Sequence, residues 1–211
     1  MRLIIKSKFK RILSGMLSAA TALGAVPVAS AKAEDSTSSY PYTMFASSYD
    51  DGAITVSAGN FCVNSNIATN GTIVSRGNIN VNGTLVDDAG ESMIYIFDKI
   101  DNQYFNASNV DIHNEDYKLD ELNININVPT EVQGEATLSG NIHINNALKS
   151  MEDISLYGKV KSTNNSVIFS KYRDVIIDSQ NANLNGLICV PFGKVIINAQ
   201  NNTSLYNYSI P

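Results

Sequence analysis

The chain has 211 residues, 44 % of them hydrophobic and 17 % charged. Six of its 15 Lys and Arg, and none of its 20 Asp and Glu, fall in the first 33 residues, so the remainder carries a formal net charge of −11. That balance argues against nucleic acid as a partner, because phosphate binding needs clustered cations, and the length fits one domain with a real core.

Residues 1–33 read as a secretory signal peptide. Lys6, Lys8, Lys10 and Arg11 make a basic start. Ile12 to Ser30 is an apolar run, and Ala31-Lys32-Ala33 is a small-x-small cleavage site. Cleavage after Ala33 would send the chain to the extracellular space or the cell surface. Gly24 and Pro27 inside the run argue against a retained anchor, and no later apolar run is long enough to span a membrane.

Residues 34–48 begin polar and Ser-rich and read as a flexible leader. Tyr40, Tyr42, Met44 and Phe45 are apolar enough to dock as an N-terminal cover. The expected domain is 49–211. Within it the pattern any-Gly-any-apolar recurs at Gly71, Gly83, Gly140, Gly158, Gly186 and Gly193, each read as a structural turn that re-enters a short strand. All 26 Asn lie after residue 59, and they alternate with Ile, Val and Leu instead of forming runs. In "ELNININVP", Leu122, Ile124, Ile126 and Val128 take one face, and Asn123, Asn125 and Asn127 the other.

Corners this frequent suit two all-β architectures. One is an antiparallel β-sandwich of Asn-Gly hairpins. The other, preferred here, is a parallel β-helix in which each strand stacks on its counterpart in the next coil. Apolar strand centres recur every 8–12 residues through Val56, Val63, Ile73 and Val81, and again through Ile168, Ile176, Leu184 and Val195. Stacked Asn can form hydrogen-bonded ladders, and aromatics are scarce, at 8 % with no Trp. Right-handed coiling is expected from the general crossover preference.

An insertion over 87–121 breaks the repeat. Ser92 is an N-cap for an amphipathic helix from about 92 to 104, with Met93, Ile96, Phe97, Ile100 and Tyr104 on one face. The helix should cover the side or an end of the solenoid, and an acidic loop should follow it.

Little in the chain points to catalysis. His113 and His143 stand in no nucleophile motif, and Cys62 and Cys189 read as two buried free thiols better than as a disulfide. No zinc spacing is present. Asp87, Asp88, Glu91, Asp116 and Asp120 are calcium candidates, although no calcium-loop spacing frames them. The clusters Asp87–Glu91 and Asp111–Glu121 could serve a carbohydrate-active enzyme. Solvated charge is the plainer account, so no catalytic residue and no cofactor is assigned. Tyr49, Tyr95, Tyr104, Tyr157, Tyr172, Tyr206 and Tyr208 could stack on sugar rings or simply fill solenoid surface.

The segments "YPYTMFASSYDDGAITVSAGNFCVNSNIATNGTIVS", "DISLYGKV…NNSVIFS" and "NLNGLICVPFGKVIINAQN" resemble parts of large uncharacterised exported proteins of Gram-positive, gut-associated clostridia. The resemblance covers nearly all of the chain after residue 33 and carries over no catalytic residue. More loosely, the Gly- and Asn-punctuated coils resemble bactofilins, which polymerise β-helices end to end but are cytoplasmic. The expected function is an exported structural or binding module for glycan or a surface protein, without catalytic activity. The alternatives are end-to-end self-assembly through an open last coil near Ile196 and Ile197, and the carbohydrate-active enzyme.

Overall fold

The computed structural model describes residues 42–89 and 98–206. The signal-like segment, Glu91, Tyr95, Tyr208 and the expected start of the helix at 92–97 lie outside the described residues. No helix among those described is long and apolar enough to cross a membrane.

Fifteen strands form two sheets. The longer strands are β2 (Ile54–Asn64), β4 (Ile73–Val81), β7 (Tyr117–Ile126), β9 (Ala136–Ile144), β11 (Ile154–Ser162), β13 (Val175–Asn185) and β15 (Val195–Tyr206). They make a seven-stranded sheet in the order β4-β2-β15-β13-β11-β9-β7. The shorter strands are β1 (Met44–Ala46), β3 (Ile67–Thr69), β5 (Leu85–Val86), β6 (Asp111–His113), β8 (Thr130–Val132), β10 (Ala147–Ser150), β12 (Val167–Ser170) and β14 (Leu187–Val190). They make an eight-stranded sheet in the order β5-β3-β1-β14-β12-β10-β8-β6. The strand pairs of both sheets are parallel, as in Ile154↔Ala136 and Leu148↔Ile168. The chain is therefore a parallel β-solenoid, and the antiparallel sandwich is excluded.

The alternation of apolar and polar residues drives this arrangement. In β11, Ile154, Leu156 and Val160 are buried while Tyr157, Lys159 and Lys161 are exposed. Register stacks equivalent inward residues coil on coil, for example Leu138, Leu156, Ile177, Ile197 and Val56, all buried. Each such side chain contributes about 1.5–3 kcal/mol by leaving water. Polar groups at the corners are held too. The hydroxyls of Ser150 and Ser170, paired in register, donate to the carbonyls of Gly134 at 2.6 Å and Glu152 at 2.7 Å.

Except at its end strands β5 and β6, the short-strand sheet is buried on both faces. Its inner face joins the main core, and its outer face holds Phe45, Ala68, Phe169, Leu187 and Cys189. The helical residues 98–100 and the π-helical turn Asp101–Phe105 lie on that outer face. Ile100 is fully buried in the same cluster, with Tyr104 and Phe105 packed against it. The helix therefore covers a side of the solenoid, and not an end.

Three expectations need correction. The leader boundary at 48 is too late, because Met44–Ala46 is a strand paired on both sides, with β14 and with β3. The insertion boundary at 121 is too late as well, because β6 and the first half of β7 already belong to the two sheets. Finally, the last coil is not open. β15 lies between β13 and β2, so Ile197 is buried in mid-sheet and no edge is offered there. The chain lays β1 to β5 outward from that point, crosses along the helix, and coils back from β6. The edges are β4 and β5 at one end and β6 and β7 at the other.

Candidate functional site

A column of register shifts crosses the seven-stranded sheet. It falls between Glu121 and Asn123, between Gly158 and Lys159, between Ser179 and Ala182, between Ala199 and Asn202, and between Ser57 and Asn60. Five of the six strand pairs shift register here, β9 with β11 being the exception, and such bulges bend the strand. Gly140 (φ 141°) and Gly158 (φ 109°) stand there in register, and a side chain on Gly158 would collide with the Gly140 carbonyl. Leu122 is extruded at the same column and is 79 % exposed, so it leaves the apolar face that its spacing with Ile124 and Ile126 suggested. Val128, beyond the strand, is 42 % exposed.

Beyond the bend lies a face built from 123–127, 141–145, 159–163, 181–185, 202–206, 60–64 and 78–82. No Asp or Glu occurs at any of these positions. Its first outward column is Asn in every coil except one, where Lys159 stands between Asn141 and Asn181. The next column carries Asn125, His143, Lys161, Asn183, Ser204, Cys62 and Asn80. Carboxamides bond from coil to coil. Asn78 donates to Asn60 at 3.3 Å, Asn82 to Asn64 at 2.9 Å, Asn141 to Asn123 at 3.3 Å and Asn145 to Asn127 at 2.8 Å. These are the Asn ladders expected from the alternation.

Two grooves flank Lys159. One, of about 220 Å³, is lined by Leu122, Gly140, Asn141, Gly158 and Gln180 as well as by Lys159. The other, of about 330 Å³, runs past Lys161, Asn181, Asn183 and Ser204. Neither Lys159 nor Lys161 has an acidic partner within 4.0 Å among the described residues. The arrangement presents two lysines without an acidic partner, their Cα atoms about 6.6 Å apart along the strand, among amides that each donate and accept.

The four calcium candidates among the described residues do not come together. Asp87 and Asp88 lie beside β4 and β5, Asp116 and Asp120 beside β7 at the opposite end, and Glu91 is outside the described residues. Asp87 accepts from the Ile73 amide at 3.0 Å. Asp116 accepts from the Glu135 amide at 3.1 Å and from Lys118 at 3.0 Å, and these two contacts hold its carboxyl below the usual carboxylate range. The same corner device returns where Asp153 accepts from the Asp174 amide and Asp174 from the Lys194 amide, both at 2.8 Å. These acids pin one coil to the next. No group of three His, Cys, Asp or Glu placed for a metal occurs among the described residues.

The remaining candidates are dispersed. His113 stacks on Tyr117 and contacts Asp111 at 3.2 Å, whereas His143 lies on the Asn face. Cys189 is a buried free thiol, pushed well above its ordinary pKa by burial; Cys62 is free but only half-buried on the outward side. Tyr104, in the π-helical turn, packs partly buried against the cluster of Phe45, Phe169 and Ile100, and Tyr157 is exposed on the sheet before the bend. Tyr172 stacks on Phe192 at 6.0 Å between ring centroids, at an outer corner where Tyr49 is also exposed. Gly71, Gly83 and Gly193 stand where a Cβ would meet a neighbouring coil's backbone, and Gly186 takes a positive φ. Lys159 and Lys161 escaped the sequence reading, because only register shows that they share an acid-free face.

Fold and face together define a parallel β-solenoid that displays a regular, amide-rich polar surface. No protein-family model matches the chain, and no curated protein matches its sequence. Among solved structures, one similar chain is an ice binding protein from an Antarctic Biological Consortium, at 15 % identity over 78 % of this chain and 87 % of that one, with a TM-score of 0.41. Another is an ice-binding protein from the Antarctic ascomycete Antarctomyces psychrotrophicus, at 12 % identity over 81 % and 96 %, with a TM-score of 0.38.

Proposed function

We propose that the chain is an exported, non-catalytic binding module that holds glycan on its Asn face. The observation that carries this reading is the acid-free, carboxamide-tiled face around Lys159 and Lys161 on a chain that is otherwise strongly acidic. Amides match sugar hydroxyls in both donor and acceptor sense, and the two lysines favour sugars bearing carboxylate or sulfate. Export rests on the basic start, the apolar run and Ala31-Lys32-Ala33. The non-catalytic reading is supported by Asp87 and Asp116, whose carboxylates are engaged as backbone caps.

Affinity electrophoresis in gels cast with neutral or uronic-acid-containing polysaccharides tests this. Retardation should be strongest in the acidic gels and fall about tenfold in Lys159→Ala/Lys161→Ala, the loss of two charge-assisted contacts. Equal mobility in every gel, or shortening of the polysaccharide by the protein, would sink the reading. Thermal hysteresis without retardation would instead point the face to ice, the ligand named for the two solved structures.

A further inference from the structure

We propose that Lys149 and Asp101 couple to each other through an amide bond, with Glu131 carrying the proton, so that the crossing segment is tied covalently to the short-strand sheet. In β10 the inward side chain is Leu148, which leaves Ala147 and Lys149 on the outer face. Register sets Lys149 between Glu131 of β8 and Phe169 of β12. The π-helical turn lies over this face and brings Asp101 onto the lysine.

The reacting groups are within reach of one another. Lys149 Nζ lies 2.7 Å from Asp101 Oδ1 and 3.4 Å from Glu131 Oε1. Asp101 Cγ is one carboxylate bond further, hence at most about 4 Å from the nitrogen, close to the separation of a near-attack pair. The place is also dry. The Lys149 side chain is 5 % exposed, and the centre of the Phe105 ring stands 5.0 Å from Nζ. Asp101 Oδ1 is shut off from water and receives no aligned hydrogen bond. Lys118 and Lys194, by contrast, meet their carboxylates in contact with solvent. Desolvating ions costs more than their attraction returns unless further hydrogen bonds satisfy them, and here two carboxylates face one ammonium. Coupling removes one charge of each sign and leaves a neutral amide.

The step is a condensation. The ammonium first passes a proton to the Asp101 carboxylate, because a dry site favours the neutral amine and acid over separated charges. The amine lone pair then attacks Asp101 Cγ, forming the C–N bond and pushing the carbonyl π pair onto oxygen. Glu131 takes one proton from the nitrogen and delivers it to the hydroxyl on Cγ, the general acid–base part. The C–O bond breaks, the carbonyl re-forms, and water leaves. Glu131 ends as the carboxylate it began as, accepting from the new amide N–H and from Gln133 Nε2, now 3.1 Å from its Oε1. Before this step the cluster is held by charge alone. After it, residues 101 to 149 form a closed ring that contains β6 to β9.

The test is mass spectrometry of the full chain, intact and after trypsin, over a time course of refolding from urea. The intact mass should fall by one water. Trypsin should no longer cut after Lys149, and a branched peptide should join residues 100–118 to residues 119–159. Lys149→Met should give no branch. Glu131→Gln, checked for folding by circular dichroism, should slow its formation at least about 100-fold. Separate peptides 100–118 and 119–149 from the folded chain, at every time, overturn the proposal. So does a loss of water without the branch, which is ring closure at an aspartate. A branch that forms as fast in Glu131→Gln, or in urea, overturns the role given to Glu131 and to the folded site.

Discussion

At the residue scale the solenoid depends on positions where a side chain has no room. Gly158 combines a φ of 109° with close approach to the Gly140 carbonyl, so even a methyl group is penalised twice. Gly158→Ala should lower the unfolding free energy by at least about 2 kcal/mol, read from the shift of a urea transition at constant slope. A change below about 0.5 kcal/mol would mean that the bend tolerates a Cβ. The recurrence of Gly before an apolar strand was legible in the sequence, and so was the stacking of Asn, because both follow from local geometry repeated at each coil. The two roles of glycine were not. All six approach a neighbouring coil's backbone, but only Gly140, Gly158 and Gly186 also take a positive φ, and nothing in the string separates these from Gly71, Gly83 and Gly193.

At the scale of elements, the crossing helix is held by charge as well as by apolar contact. Lys149 is 4 % exposed in mid-strand. Its ammonium lies 2.7 Å from Asp101 Oδ1, 3.4 Å from Glu131 Oε1, and 5.0 Å from the centre of the Phe105 ring. Asp101 Oδ1 receives no aligned hydrogen bond, so the nearby ammonium charge is what compensates its burial. Removing only the cation strands two half-shielded carboxylates. Lys149→Met should therefore destabilise by about 2–4 kcal/mol, and Lys149→Met/Asp101→Asn/Glu131→Gln should recover most of that loss. Thermal and urea unfolding of both variants decides the point, since equal losses would show that packing of the lysine stem is what matters. A helix after Ser92 could be read from spacing, with Ile100 and Tyr104 on its apolar side. Its placement over a sheet face could not, because Phe45, Phe169 and Cys189, which receive it, come from three distant segments. The acids after it read as a loop because charge masks the pairing of β6 and β7, which are edge strands with one side in water.

At the scale of the whole molecule, the order of coils in space is not their order in the chain. Periodicity shows that a strand will stack, but every coil here offers an inward apolar column and an outward polar one, so it does not name the neighbour. That is why an open last coil was a reasonable expectation, and why β15 instead closes the middle of the sheet between β13 and β2. The consequence is that stability at the chain's beginning depends on its end. The strands β1 and β2 reach the body of the sheets only through β14 and β15. Joining residues near 54 to residues near 195 closes a long loop, a step whose entropy is recovered only when both sheets form. A chain ending at Lys194 lacks β15, which exposes the edges of β2 and β13 and leaves the segment 42–86 tied to the rest chiefly by β1 on β14, with the exposed Lys194–Asp50 ion pair beside it. Hydrogen exchange should then show protection lost throughout β2 to β5 while β7 to β11 stay protected. In the full chain, protection should be comparable on the two sides of β15. Retained protection of β2 and β3 in the shortened chain would mean that β1 on β14 suffices to hold the first coils, and that the last strand is an ordinary rung instead of the clasp that this topology makes it.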